Sequence, residues 1–228
     1  MTNTDQSWLL AIDSSSEWAT IALTNGERVA ETSWFAGRDQ TATLLSEIDR
    51  LFSLLHTQPT SLNAVAVATG PGMFNGLRVG MSVAKGFVLA LDLPLIGIST
   101  LDVTAFPHLG LGLPIVATVA AGRGRCVWAV YQADIAAMRQ QSTARNGAIE
   151  DVLQTVEELG PCLVTGELTP EHAARVRSIA GVVVPPTAAR FRRASCMAEL
   201  AWNRYKADDV DNAVELEPVY LHSTANRR

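Results

Sequence analysis

The sequence predicts an α/β protein of two lobes, and three observations lead there. Short apolar runs such as Ala64-Val-Ala-Val-Ala68 suit buried strands, and they alternate with segments whose apolar residues recur every three or four positions. An early pair of strand-like runs is joined by Asn25-Gly26, two residues that tolerate the positive φ of a tight hairpin. Past residue 100 a second series opens the same way, with two apolar runs around a glycine-containing turn.

Trp8 to Asp13 reads as a strand entering the polar turn Ser14-Ser-Ser16, and Ala19 to Thr24 is its hairpin partner. Glu27 to Trp34 alternates in polarity and supplies a third, more exposed strand. Between Gln40 and Leu55, Leu44, Leu45, Ile48, Leu51, Phe52 and Leu55 form one stripe of a helix. A buried strand over 64–69 leads through Gly70-Pro-Gly72 into a helix that runs to about Leu91, and Leu95 to Ile98 is a short strand. The order βββαβαβ is that of the ribonuclease-H-like fold, the repeating half of the actin-like ATPase (ASKHA) superfamily. In the second half, strands at 114–120 and 126–131 flank Ala121-Gly-Arg-Gly-Arg125, and a polar stretch covers about 135–147. Helix 149–159, strand 162–165, a helix opened by Thr169-Pro-Glu171, strand 182–184 and a helix over about 193–206 come next. The expected division is a first lobe at 1–102 and a second, degenerate lobe at 103–228 that carries the last helix and the tail.

Composition narrows the function. The chain has 228 residues, 48% of them hydrophobic, and a net charge of −5, which disfavours a protein whose main task is gripping a nucleic-acid backbone. The basic clusters Arg123/Arg125 and Arg190-Phe-Arg-Arg193 read as solvated surface. Cys126, Cys162 and Cys196 fit neither a CxxC pair nor a disulfide framework, which suits a reducing cytosol. The N-terminus lacks the pattern of a signal peptide, and Lys85, Asp92 and Pro94 interrupt the longest apolar region, so a cytoplasmic protein without a membrane span is expected.

The candidate chemistry is incomplete. Asp13-Ser-Ser-Ser16 has the form of a phosphate-facing turn and equally that of a polar β-turn after a buried strand. A nucleotide site of the actin-like type would use Asp13, Ser14 and Ser15, but it also needs a carboxylate in the second hairpin and a glycine pair under the adenine. The chain has no acid at Ala121 to Arg125 and only Thr165-Gly-Glu167 after the later strand. His56, His108, His172 and His222 show no metal-ligand spacing, and neither a GxSxG elbow nor a Walker lysine is present. Neither a catalytic residue, a metal nor a cofactor is therefore expected.

The most distinctive stretch is Gly70-Pro-Gly-Met-Phe-Asn-Gly-Leu-Arg-Val-Gly80 and the helix it opens. Small residues recur every fourth position in two rows: Gly76, Gly80, Ala84 and Ser82, Gly86, Ala90. Each helical glycine costs about 1 kcal/mol relative to alanine, so a compensating reason is needed. The turn could cradle a phosphate or the small face could admit another backbone, and the missing second-hairpin carboxylate favours close approach. The domain's own sheet consumes at least one row, and the rest forms a shallow surface with Met73, Met81 and Val88 as adaptable contacts.

Leu10-Ala-Ile-Asp-Ser-Ser-Ser16, the block Gly70 to Gly80, Ala84-Lys-Gly86, Leu93 to Leu101 and Glu217-Pro-Val-Tyr-Leu221 together resemble the TsaB (YeaZ) family. The resemblance implies a noncatalytic paralogue of the transferase TsaD, which it joins in making threonylcarbamoyladenosine (t6A) beside the anticodon of tRNAs reading ANN codons. It implies a TsaE-like ATPase as a third subunit, contact with tRNA only through the complex, and a homodimer when alone. It further implies docking through helices at about 40–55 and 76–91, hence an interface of Leu44, Leu45, Ile48, Met73, Phe74, Gly76, Arg78, Val79, Gly80, Met81 and Ala84. A leucine at Gly80 is then expected to abolish docking while the monomer stays folded. Three places depart from the family pattern. Gln40-Thr41-Ala42 replaces a His-Thr-Gln-like start, Ala121-Gly-Arg123 replaces Asp-Ala-Arg, and Tyr220-Leu-His222 replaces Tyr-Leu-Arg.

Overall fold

A computed structural model describes residues 7–37, 39–122, 124–132 and 139–220. Arg123, Leu221, His222 and part of the polar stretch at 135–147 lie outside the described residues. The described residues form two compact units, one of 7–99 and 193–219, the other of 100–192 with Tyr220.

In the first unit, β1 (Trp8–Asp13), β2 (Trp18–Thr24) and β3 (Val29–Phe35) form an antiparallel meander. β4 (Leu62–Gly70) pairs parallel to β1, and β5 (Leu95–Ser99) pairs parallel to β4, giving the order β3-β2-β1-β4-β5. α1 (Gln40–Leu54) and α2 (Phe74–Leu91) make the crossovers. Alternation along the strands gives the sheet two different faces. Leu10, Ile12, Ile21, Leu23, Val65 and Val67 meet Leu44, Ile48, Leu51, Phe52, Met81 and Ala84 of the two helices in the main core. The opposite face carries Ala11, Ala22, Ala64, Ala66 and Ala68, all buried.

The alanine face explains a departure from the expected division. The helix at 194–206 packs on strands of the first sheet, bringing Ala194, Met197, Ala198 and Ala201 into burial. Small residues on both sides let the backbones approach, and side chains of the sheet cap the helix start. Ala194 N–H donates to Thr20 Oγ1 at 3.2 Å and Ser195 N–H to Glu31 Oε2 at 2.9 Å. The last helix therefore belongs with the first unit, whereas the sequence alone assigns it to the second lobe.

Beyond that helix a strap runs along the edge strand β5. Asp211 N–H donates to the Leu95 carbonyl at 2.9 Å, and its carboxylate accepts from Gly97 N–H at 2.7 Å. Arg204 donates to the Gly97 carbonyl at 2.8 Å and pairs with Asp209 and Asp211. Further on, Val219 N–H donates to the Thr69 carbonyl at 2.7 Å.

The second unit opens with α3 (Thr100–Ala105), continues through β6 (Ile115–Ala120) and β7 (Cys126–Gln132), and adds the short β8 (Arg139–Gln140) and β9 (Arg145–Gly147). Next are α4 (Ile149–Leu159), β10 (Cys162–Gly166), α5 (Pro170–Arg177), β11 (Val182–Val183) and α6 (Thr187–Arg190); the helix already described at 194–206 is α7. The sheet order is β11-β10-β6-β7-β8, with β9 also on β7. This is the first sheet's order repeated with shorter outer strands. The fold is thus two ribonuclease-H-like units of the actin-like ATPase type, the second degenerate.

Candidate functional site

The glycine block builds the junction between β1, β4 and α2. Gly70 ends β4 with φ +105°, a left-handed conformation that glycine adopts without strain. A Cβ on Gly72 would lie 2.5 Å from the Ser15 carbonyl oxygen, and the next N–H, that of Met73, donates to that oxygen at 2.6 Å. Ser14 Oγ donates to the Gly76 carbonyl at 2.8 Å. One turn further on, a Cβ on Gly80 would lie 2.5 Å from Ser14 Oγ. The row Gly76, Gly80, Ala84 thus faces the unit's own first strand and turn, and this contact offsets the helical cost of the glycines.

The Asp13 turn is closed by the same packing. Asp13 Oδ1 accepts from Ser15 N–H at 2.9 Å and from Ser15 Oγ at 2.5 Å. Asp13, Ser14 and Ser15 are each 1% exposed. A phosphate-binding turn needs outward backbone N–H groups, and here the Ser15 N–H is spent on Asp13 while Ser14 fastens α2. All three residues expected in a nucleotide turn are buried and bonded within the fold.

The predicted interface residues divide by burial. Leu44, Ile48, Gly76, Gly80, Met81 and Ala84 are buried within the first unit and line no surface. The helix turns its glycine row inward because only that row lets β1 come so close. Leu45, Phe74 and Arg78 are exposed, and Met73 and Val79 are half-buried. The second small row, Ser82, Gly86 and Ala90, faces outward. A Cβ on Gly86 would meet nothing within 4 Å. Phe74 is 51% exposed with the Arg78 guanidinium stacked 4.7 Å from its ring centre, and Leu89 is 87% exposed. Sequence reasoning misses Leu89 and Leu54, although Leu89 stands on the helical line Arg78, Ser82, Lys85 that is legible from spacing.

Ionisable groups of the second unit are mostly structural. Glu167 accepts from Ala120 N–H at 2.9 Å and pairs with the buried Arg192. Arg190 is also buried and donates to the Gly166 and Pro185 carbonyls. Two arginines of the cluster expected on the solvated surface therefore point inward, Arg190 to carbonyls at the end of β10 and at Pro185, and Arg192 to the Glu167 carboxylate. Tyr131 OH donates to Asp102 at 2.7 Å; burial raises both pKa values, and the neighbouring Asp102 carboxylate adds to the rise at Tyr131. Burial pushes the Cys126 and Cys162 thiols up as well, consistent with inert core residues. His108 Nε2 lies 2.9 Å from Thr165 Oγ1, and desolvation lowers its pKa against a smaller opposing hydrogen bond with Ala189. Among the described residues no three His, Cys, Asp or Glu side chains are grouped to hold a metal, and no helix is long and apolar enough to cross a membrane.

Comparison with known proteins adds to this geometry. Residues 34–200 match the family model described as "TsaD: tRNA N6-adenosine threonylcarbamoyltransferase". The chain is 34% identical over 128 residues to the Escherichia coli tRNA threonylcarbamoyladenosine biosynthesis protein TsaB, a match covering 55% of each chain and so little more than half of that relative. It is 27% identical over 229 residues to the Haemophilus influenzae protein of the same name, covering 94% of this chain and 93% of the relative. Among solved structures, YeaZ from Pseudomonas aeruginosa shares the fold with a TM-score of 0.79 at 22% identity, over 94% of this chain and 100% of that one. The glycine block, the two repeated sheets and these matches agree, and the chain belongs to the tRNA N6-adenosine threonylcarbamoyltransferase (TsaD) family, in its TsaB (YeaZ) group.

Proposed function

We propose that this chain is a noncatalytic scaffold and activator subunit that dimerises with a TsaD-like transferase. In this reading the transferase carries the chemistry, moving threonylcarbamoyl to the adenosine beside the anticodon of tRNAs that read ANN codons. A TsaE-like ATPase joins the assembly, tRNA is met only through the complex, and the chain homodimerises through the same surface when alone. The setting is the cytoplasm. The names of the relatives support the pathway. The observation that carries the role is the two-sided use of α2: its glycine row seals the turn where a nucleotide would sit, and its other small row stands open beside exposed Phe74 and Leu89. A helix face that mixes small residues with exposed aromatic and aliphatic groups suits a partner helix at close range.

Gly86→Trp tests this. The site is open, so the variant should fold with an unchanged melting profile while its affinity for the transferase falls at least about thirtyfold, the loss typical of a blocked interface centre. A folded variant that still co-purifies with the transferase sinks the docking assignment. The competing reading is a small actin-like phosphotransferase that binds ATP through Asp13 and Ser15. Calorimetry with ATP and Mg²⁺ decides it, since tight binding with turnover by the isolated chain overturns the noncatalytic role.

A further inference from the structure

The outward face of α2 is charged in one sense only. Between Phe74 and Leu91 the helix carries Arg78 and Lys85 and no carboxylate. Seven residues apart, the two cations lie on one line about 10.5 Å from each other along the axis. Ser82 stands between them, Leu89 lies one turn on, and Gly86 leaves room alongside. The next acid, Asp92, lies past the last turn in left-handed backbone. On the neighbouring helix Glu47 is paired with Arg50 at 3.3 Å and Asp49 is exposed, and the strap adds an exposed Glu215 next to Val214, so the single sign of charge belongs to α2 itself. Lys85 Nζ reaches the Val214 carbonyl of the strap at 3.4 Å, which sets the 86% exposed Val214 beside it and extends the apolar rim.

From this pattern we infer that α2 docks a helix face of the transferase partner that presents carboxylates opposite Arg78 and Lys85, and that this pairing favours the transferase over a second copy of this chain. The inference rests on the docking role proposed above and specifies the partner's chemistry. A second copy docked two-fold on α2 brings four cations into one strip, where like charges repel. An acidic helix meets the same strip with attraction and still buries Leu89, Phe74 and the aliphatic stem of Lys85. A nucleic-acid backbone is the poorer occupant. Two cations set among exposed apolar side chains, in a protein of net charge −5, make too small a phosphate footprint.

The test uses the full chain and the transferase encoded by the same genome, with the double variant Arg78→Glu/Lys85→Glu and the milder Arg78→Gln/Lys85→Gln. Between roughly 0.05 and 0.5 M salt, where screening becomes strong, the wild-type Kd for the transferase should rise about tenfold or more. At low salt the double reversal should weaken that complex at least about tenfold and invert its salt dependence, because carboxylates then face carboxylates, whereas the glutamine pair should lose less affinity and remove the dependence. Self-association of the free chain, measured by sedimentation, should instead tighten in the glutamine variant, which removes the four like charges of the two-fold strip, and should gain nothing in the reversed variant, which replaces them with four carboxylates. Unchanged transferase affinity in the folded reversed variant overturns the inference, as does weakened self-association in the glutamine variant. Binding of tRNA by the free chain that is lost in the same variant also overturns it. Gly86→Trp separates the two failures. If it breaks the complex and charge reversal does not, only the carboxylate pairing is wrong; if neither breaks it, the docking surface itself is wrong.

Discussion

The first sheet, β3-β2-β1-β4-β5, and the second, β8-β7-β6-β10-β11, are built on one strand order, and their inner parallel strands even end alike. Gly70 closes β4 with φ +105° and Gly166 closes β10 with φ +103°. Past these glycines the two units part. After Gly70 comes an 18-residue helix with a glycine row against β1; after Gly166 comes the eight-residue α5, which has no glycine. The first hairpins diverge too. Asp13 and Ser15 lock one turn from inside, whereas the other is held by backbone bonds between Ala121, Gly122 and Arg125, with open space at Gly122 and Gly124. The ladder and core preserve the sheet in both units. A long helix with one face on the sheet and a second row of small residues turned outward is specified in only one of them.

That comparison can be broken first at Gly166. A valine there must adopt the left-handed region and drive its Cβ into the Thr118 carbonyl, so Gly166→Val should cost roughly 3–5 kcal/mol from strain plus overpacking. Denaturant unfolding should show the loss, and a neutral result would mean the two strand ends are not equivalent. Gly80→Leu comes next. The sequence alone expects it to spare the monomer, but the inward row makes it a core insertion against Ser14 and Ile12 that should cost about 2–3 kcal/mol. Intact thermal stability with lost docking would return Gly80 to the surface.

The smallest effect concerns pH and sharpens the picture of the second unit. The folded state lowers the pKa of His108 from its ordinary value of 6.5, mainly by burial. As the pH falls below 6.5 the unfolded chain takes up this proton first, so the unfolded state binds more protons and stability declines until the lowered folded value is passed. Chemical denaturation between pH 7.5 and 5 should therefore show a component that His108→Gln removes; an identical pH profile in the variant would deny the histidine that role.

Much of this architecture is legible in the sequence because alternation and helical spacing are strong local signals. They mark β1 to β7, both long helices of the first unit and Thr169 as the cap of α5, whose Oγ1 accepts from His172 N–H at 3.1 Å. The elements α3, α6, β8 and β9 span only two to six residues and carry too few positions for a period to register. The placement of α7 depends on alanines that are weak signals one by one and matter only when the sheet aligns them. The two small rows of α2 are visible, but which one turns inward depends on Ser14 meeting Gly76 and Gly80 across more than sixty residues of chain.

The strap over β5 has a consequence for how the chain is made. The first unit opens at residue 7 of the described chain and is completed only by residues 193–219, while the strands of the second sheet all lie between residues 115 and 183. On a ribosome the second sheet can close while the first still shows a bare β5 edge and an uncovered alanine face. An open strand edge invites pairing with other chains. Asp211, Arg204 and Val219 end that exposure by occupying backbone groups of β5 and the end of β4. The strap thus acts as a late closure, and the first unit's open edge and alanine face stay uncovered until residues 193–219 have been made.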